Sequence, residues 1–293
     1  MLLGWYGISS SSYYRWLGCK TASNSFVTRR NPRSLLPEEV ETILQLRQRY
    51  PEQGYKSFSY ILMNHGIFVS ETAIYRVLKH YQLLGYWNNM AKDPASKEYR
   101  NKPTIVHQHW HTDIAYVKVG EQTYYLIILL DGYSRFLLHW KLLTDMTTNS
   151  VSEFIIEAKD KYSHENPKLI SDNGTCFISR DFKKLVSNIN IQQVFTRRNH
   201  PQTNGKAERM VKSIRDESLR PYAPQSFTQV CSVIENYQYV YNYQRLHAAI
   251  NYLTPADLFF GRKDEILASR KHGLLAARQL RVQLNKLRFS SLS

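Results

Sequence analysis

The chain has 293 residues, 43% of them hydrophobic, and carries 39 Lys+Arg against 24 Asp+Glu, a formal net charge of +15 with a pI of about 9.6. No stretch approaches the roughly 18 uninterrupted apolar residues of a membrane span, and the N-terminus lacks the basic start and long apolar core of a secretion signal. The three cysteines, Cys19, Cys176 and Cys231, are far apart, odd in number and free of any CxxC pair, which argues against a disulfide scaffold and a Cys-based zinc site and for a reducing cytoplasm.

The charge is unevenly placed. Residues 1–105 are net +7, residues 106–260 net +2 and residues 261–293 net +6. A near-neutral middle between two basic ends suggests a core flanked by arms that bind a polyanion. The plainer alternative is a basic protein with solvated Lys and Arg faces.

In chain order, "GISSSSYYRWLG" predicts a small helix starting near Ser9, half of a helical DNA-binding unit, followed by a basic linker; together these fill residues 1–35. Residues 36–87 read as a helix-turn-helix domain. "PEEVETILQLRQRY" has Val40, Ile43, Leu44 and Leu46 at near-helical spacing with Pro37 near its start. "KSFSYILMNHG" follows and ends at Gly66. A further helix begins at Ser70, a good N-cap, with Ala73, Ile74, Val77, Leu78 and Tyr81 on its apolar face. In such a motif the second helix enters the major groove. Its polar face offers Thr72, Tyr75, Arg76 and Lys79.

Residues 88–104 are polar, contain Pro94 and Pro103, and read as a link. From 105 to 260 the pattern changes. "HWHTDIAYVKV" alternates as a half-buried strand does, "TYYLIILLDGYS" is more continuously apolar, and "RFLLHWKLL" is a third strand, with short turns that suggest an antiparallel meander. Helix and strand then alternate: "NSVSEFIIEAKDKY", "PKLISDNG", "SRDFKKLVSNIN", "IQQVFTR". Two long helices close the segment, "GKAERMVKSIRDESLR" and "FTQVCSVIENYQYVYNYQRL". This order predicts an α/β mixed sheet with helices packed on it. Residues 261–293 form a basic, helix-prone tail whose Leu267, Leu274, Leu275 and Leu280 offer a partner surface.

Acids inside apolar strands need a reason, because a buried charge is costly unless paired or metal-bound. Asp113 interrupts the first strand, Asp172 ends the strand "KLIS", and Glu208 opens the helix after "HPQTNG". Each alone has an ordinary explanation: an edge-strand acid, an Asp-Asn-Gly turn, a carboxylate at a helix start. Together, three carboxylates are a hard-oxygen set for Mg²⁺. Two such ions about 4 Å apart can activate a 3′-hydroxyl or a water and stabilise the leaving oxygen at a phosphodiester.

Asp113, Asp172 and Glu208, with 35 residues between the last two, resemble the DD(35)E pattern of retroviral-type integrases and bacterial insertion-sequence transposases. "HTDIAYV", "SDNGTCF" and "HPQTNGKAER" resemble the three signature blocks of that core, and "YNYQRLHAAINYLTPADLF" its closing segment. The helical N-terminus resembles the second-reading-frame product of IS3-like transposases. The resemblance covers about residues 5–260 and implies an RNase H-like mixed five-stranded sheet flanked by helices, preceded by the all-α helix-turn-helix region.

It also implies roles. Asp113, Asp172 and Glu208 would be catalytic metal ligands for two Mg²⁺ ions, with Mn²⁺ able to substitute. Lys212 and Arg215 would contact the DNA end, Lys206 and Arg209 would meet phosphates near the helix start, and His200 and Asn204 would shape the loop and position DNA. The implied partners are double-stranded DNA, both the terminal inverted repeats of the element and the target, a homo-oligomer on that DNA, and the upstream-frame product as fusion or partner. The implied location is the bacterial cytoplasm, on the nucleoid, with no membrane. The chain departs from retroviral integrases in having no HHCC zinc region and no clear C-terminal small β-barrel, and it shows no a/d heptad run. The residues alone leave two rivals open: a DNA-binding regulator without catalysis, and an RNase H-type nuclease.

Overall fold

The structure, a computed structural model, describes residues 31–84, 102–195 and 204–290. The small helix expected from Ser9, Cys19, most of the link and His200 lie outside the described residues.

Three helices come first: α1 (Pro37–Arg49), α2 (Tyr55–Asn64) and α3 (Glu71–His80). Pro37 occupies the first turn of α1, where its missing N–H costs nothing. The Ser70 side chain caps α3 by accepting from the Ala73 N–H, as its sequence predicts. Ile43, Phe58, Leu62, Val69, Ile74 and Leu78 are all fully buried in one small core. Complete burial of such a side chain contributes about 1.5–3 kcal/mol.

The middle of the chain builds a five-stranded sheet in the order β3-β2-β1-β4-β5. Its strands are β1 (His109–Val119), β2 (Gln122–Asp131), β3 (Leu137–Leu143), β4 (Lys168–Ser171) and β5 (Gln192–Phe195). The first three form the antiparallel meander, and β4 and β5 run parallel to β1. Between them come α4 (Thr148–Lys161), the short α5 (Thr175–Ile178) and α6 (Arg180–Asn188); α7 (Gly205–Ile214) and α8 (Phe227–Tyr243) follow the sheet. One face packs under α4 and α6 through Ile127, Leu129, Phe154, Ile155 and Phe182. The other packs under α7 and α8 through Leu126, Ile128, Met210, Ile214 and Ile234. Cover on both faces is why β2 reads as a continuous apolar run. The result is the RNase H-like mixed sheet flanked by helices.

Two features depart from the sequence reading. Helix α7 does not run regularly: Arg215–Leu219 forms a π turn, with the Arg220 N–H reaching the Arg215 carbonyl, before the helix resumes over Arg220–Tyr222. Pro221 offers no N–H to the preceding turn, which favours a shift in hydrogen-bond register here.

The basic tail, moreover, is no loose arm. After α9 (Pro255–Phe259) it forms α10 (Lys263–Ser290), which clasps the N-terminal helices. The Arg281 guanidinium donates to both Glu39 carboxylate oxygens at 2.8–3.0 Å and to the Phe68 carbonyl at 2.6 Å. Asn285 donates to the carbonyls of Pro32 and Ser34, and Arg288 pairs with Glu38. Gly273 abuts the Phe68 ring so closely that a Cβ would lie 2.3 Å from it. Arg270 donates to the carbonyls of Asn251 and Tyr252 and sits over the Tyr60 ring, which itself stacks on Tyr252. Much of the tail's positive charge therefore holds the protein together. Of the leucines expected to form a partner surface, Leu275 and Leu280 are exposed, and Leu284 and Leu287 extend that face.

Candidate active site

Alternation along β1 puts His109, His111, Asp113 and Ala115 on the face that α7 covers. Strand β4 pairs with β1 only along His109–His111, with His111 opposite Ile170. Asp113 lies two residues further along β1, and Asp172 follows directly after the end of β4 at Ser171. The Asp172 carboxylate accepts from the Gly174 N–H at 3.0 Å, so the Asp-Asn-Gly turn holds it at the strand end. A Cβ on Gly174 would lie 3.1 Å from that oxygen, which explains the need for glycine there.

Helix α7 supplies the third acid. Its N-cap, Asn204, does not cap with its side chain. Instead Asn204 is buried and its Nδ2 donates to the Thr112 carbonyl at 3.0 Å, next to Asp113. Lys206 Nζ donates to the Gly132 carbonyl at 3.0 Å. These two bonds pin the start of α7 across β1 and leave Glu208, Arg209, Lys212 and Arg215 on the exposed side of the helix. A groove of about 530 Å³ runs beside them, lined among others by Asp113, Tyr116, Glu208, Lys212, Arg215 and Arg220.

Electrostatics ties the three carboxylates together. Burial pushes the Asp113 carboxyl up to about 7, the Ile114 N–H opposes this, and the negative charges of Asp172 and Glu208 raise it further. A half-buried acid facing two others favours either a proton or a cation. The all-carboxylate donor set suits Mg²⁺ or Mn²⁺. Among the described residues, no three His, Cys, Asp or Glu side chains stand close enough to enclose a metal ion. Asp113 and Glu208 share the groove, whereas Asp172 is not part of its lining.

The other predicted residues divide clearly. Lys212 and Arg215 line the groove, and Arg209 is exposed next to Glu208. Asn204 and Lys206 bond to backbone carbonyls of the core. On α3, Thr72, Tyr75, Arg76 and Lys79 are all exposed, with the Lys79 ammonium 5.9 Å from the Tyr75 ring centre. Arg76 lines a cleft that also takes in Arg278 of α10. Sequence reasoning passed over Tyr116 and Arg220. Tyr116 sits at a polar position of the β1 alternation, and Arg220, directly after the π turn, also lines the groove.

Two integrase core domain profiles match the chain, over residues 103–201 and 189–255, together about half of its length. The transposase for insertion sequence element IS904 of Lactococcus lactis is 25% identical over 162 residues, 53% of this chain and 62% of that protein. The chain thus spans under two thirds of that relative. An uncharacterized 31 kDa protein of insertion element IS600 from Shigella sonnei is 23% identical over 86% of this chain and 94% of its own. Among solved structures, a simian T-cell lymphotropic virus intasome in complex with a PP2A regulatory subunit aligns with TM-score 0.48 and 16% identity over 74% of each chain. The signature blocks, the sheet that positions them and the matching profiles agree, and the chain belongs to the integrase core domain family.

Proposed function

We propose that the protein is a DDE transposase of the IS3-like kind, cutting and joining DNA strands at the ends of an insertion sequence. What supports this reading most directly is the groove on which Asp113 and Glu208 stand together with Lys212 and Arg215, with Asp172 near enough for its charge to act on Asp113. A DNA-binding regulator has no use for such an arrangement. A simple nuclease has no use for the exposed helix-turn-helix face.

Asp113, Asp172 and Glu208 would hold two Mg²⁺ ions, or Mn²⁺ in their place, which when bound activate the attacking oxygen and stabilise the leaving one. In strand transfer the 3′-hydroxyl of the element end forms a new O–P bond as the target's O–P bond breaks, with no net change in phosphodiester count. Lys212, Arg215 and Arg209 lie along the exposed face of α7, where they can hold the backbone of the reacting strand. Asn204 and Lys206 keep that face at a fixed height above Asp113. His200 belongs to the same signature loop and would help shape it. Thr72, Tyr75, Arg76 and Lys79 would read the terminal inverted repeat in the major groove.

The same reading gives the partners: element and target duplex DNA, further copies of this chain on that DNA, and the upstream-frame product as fusion or partner. It places the protein on the bacterial nucleoid. The five segments drawn from the sequence, 1–35, 36–87, 88–104, 105–260 and 261–293, are the domain division we propose, with the last clasped to the second. The test is joining of a labelled 3′-hydroxyl element end to target DNA with Mg²⁺, comparing the protein with Asp172→Asn. Joining by the first and not the second supports the proposal; equal joining by both refutes it.

A further inference from the structure

Strand β4 ends at Ser171 and pairs with β1 only as far as His111. From Asp113 onward, the edge of β1 that faces away from β2 has no strand partner among the described residues. The groove of about 530 Å³ takes in this edge. Asp113, Ile114, Ala115 and Tyr116 line it in succession, together with Glu208, Lys212 and Arg215 of α7.

Tyr116 is the aromatic side chain of that lining, and 62% of its surface is exposed. A solitary exposed aromatic is ordinary, but this ring is braced and stands in a groove. Tyr125 faces it in register on β2, and the two rings meet edge to face with centroids 5.4 Å apart. Tyr125 in turn packs against the core under α4 and α6. Tyr116 is thus backed by the sheet on one side and open to the groove on the other.

We infer that Tyr116 stacks on a nucleobase of the DNA strand whose backbone follows α7 away from the carboxylates. The inference rests on the proposed function for the presence of DNA. An aromatic ring beside a basic wall is the combination that holds a single strand: cations meet the phosphates and the ring meets a base face. Lys212 and Arg215 supply the basic wall, whereas Arg220 is held by Asp216. Both walls leave one corner, where Asn204 bonds to the Thr112 carbonyl. Tyr116 lies three residues beyond Asp113, roughly 10 Å along an extended strand. Arg215 lies two turns beyond Glu208, roughly 10 Å along the helix. At about 3.4 Å per stacked nucleotide, a strand with its reactive end at the carboxylates reaches Tyr116 within its first few nucleotides. A base stacked there has left its duplex partner, so Tyr116 favours an opened end. Every base has a π face, so the preference is for an unpaired base and not for a sequence.

The test uses the full chain with Tyr116→Leu and Tyr116→Phe. The probe is a forked duplex whose terminal four nucleotides are unpaired, either intact or with an abasic site at one of those positions. Affinity is read by fluorescence anisotropy. Tyr116→Leu binds the intact fork about fivefold or more weakly, and Tyr116→Phe binds within about twofold of wild type, because the phenyl face stacks equally well. In the wild type, an abasic site weakens binding at one or two adjacent positions. On those forks Tyr116→Leu loses nothing further, because ring and base act as one pair. A ring with a merely structural role would cost the same on every fork. Additive losses at all four positions overturn the inference, as does a uniform abasic effect in the wild type, which needs no variant to read. A phenylalanine variant as weak as the leucine one also overturns it, since the hydroxyl and not the ring face would then be in use. Joining activity separates this inference from the reading it rests on. If the wild type fails to join but the coupling is present, the stack stands and the proposed chemistry falls. If it joins and the losses add, the stack falls alone.

Discussion

Replacing Asp113 by Asn should stabilise the metal-free protein while abolishing its chemistry. The Asp113 carboxyl is raised from an ordinary 3.8 to about 7, chiefly by burial. In the unfolded chain it ionises near 3.8, so between 3.8 and about 7 the folded state binds more protons than the unfolded one. Stability from this group is therefore lost as pH rises through that window and stays lost above it. At about 1.4 kcal/mol per pH unit the full cost above pH 7 is about 4 kcal/mol, and partial exposure to solvent reduces it to about 2 kcal/mol. Asparagine does not titrate, and its Oδ1 can still accept the Ile114 N–H. Thermal unfolding in EDTA should show Asp113→Asn melting several degrees above wild type at pH 8, where about 2 kcal/mol is at stake, and by less than half that margin at pH 5. Added Mg²⁺ should raise the wild-type midpoint and leave the variant's almost unmoved. A variant less stable than wild type at pH 8, or a margin equal at both pH values, would refute the electrostatic reasoning.

The clamp at the start of α7 predicts that Asn204→Ala, which loses the bond to the Thr112 carbonyl, lowers joining at least tenfold at saturating Mg²⁺ while equilibrium DNA binding stays within about twofold, for a loss of about 1–2 kcal/mol in positioning. Single-turnover joining and anisotropy on the same preparation check it; parallel losses in both would contradict it. Arg281→Leu strands Glu39 and frees α10, so the unfolding free energy should fall by about 2–3 kcal/mol and proteases should cut the tail near residue 262 far faster. An unaltered digestion pattern would show that the clasp does not hold the tail. Arg76→Ala should weaken the footprint over the element end by about 1–3 kcal/mol and spare binding to arbitrary DNA, because the residue is exposed on the face of α3 that we propose reads the repeat. An unchanged footprint would reject that assignment.

What the sequence reveals and what it hides follow from the range of the interactions. The meander, the alternating strands and the helix capped by Ser70 come from local periodicity and capping, and they form where that periodicity places them. Asp113 and Asp172 stand out because the one breaks an apolar strand and the other follows the end of one, and parallel pairing of β1 with β4 brings those two strands side by side. Long-range partners leave no such trace. Lys206 and Asn204 read as DNA ligands beside Glu208, yet both make hydrogen bonds to core carbonyls. The basic tail reads as an arm, yet Arg270 and Arg281 are buried against residues distant in the chain. The π turn depends on Pro221 deleting one donor, a register effect that side-chain periodicity does not register.

The measurement that tests the central claim most directly is a crystal structure of the full chain on a DNA end with Mn²⁺, read by anomalous scattering. The account predicts two metal peaks about 4 Å apart, held by Asp113, Asp172 and Glu208. Metal bound elsewhere, or only at isolated surface acids while the same preparation joins DNA, would contradict it.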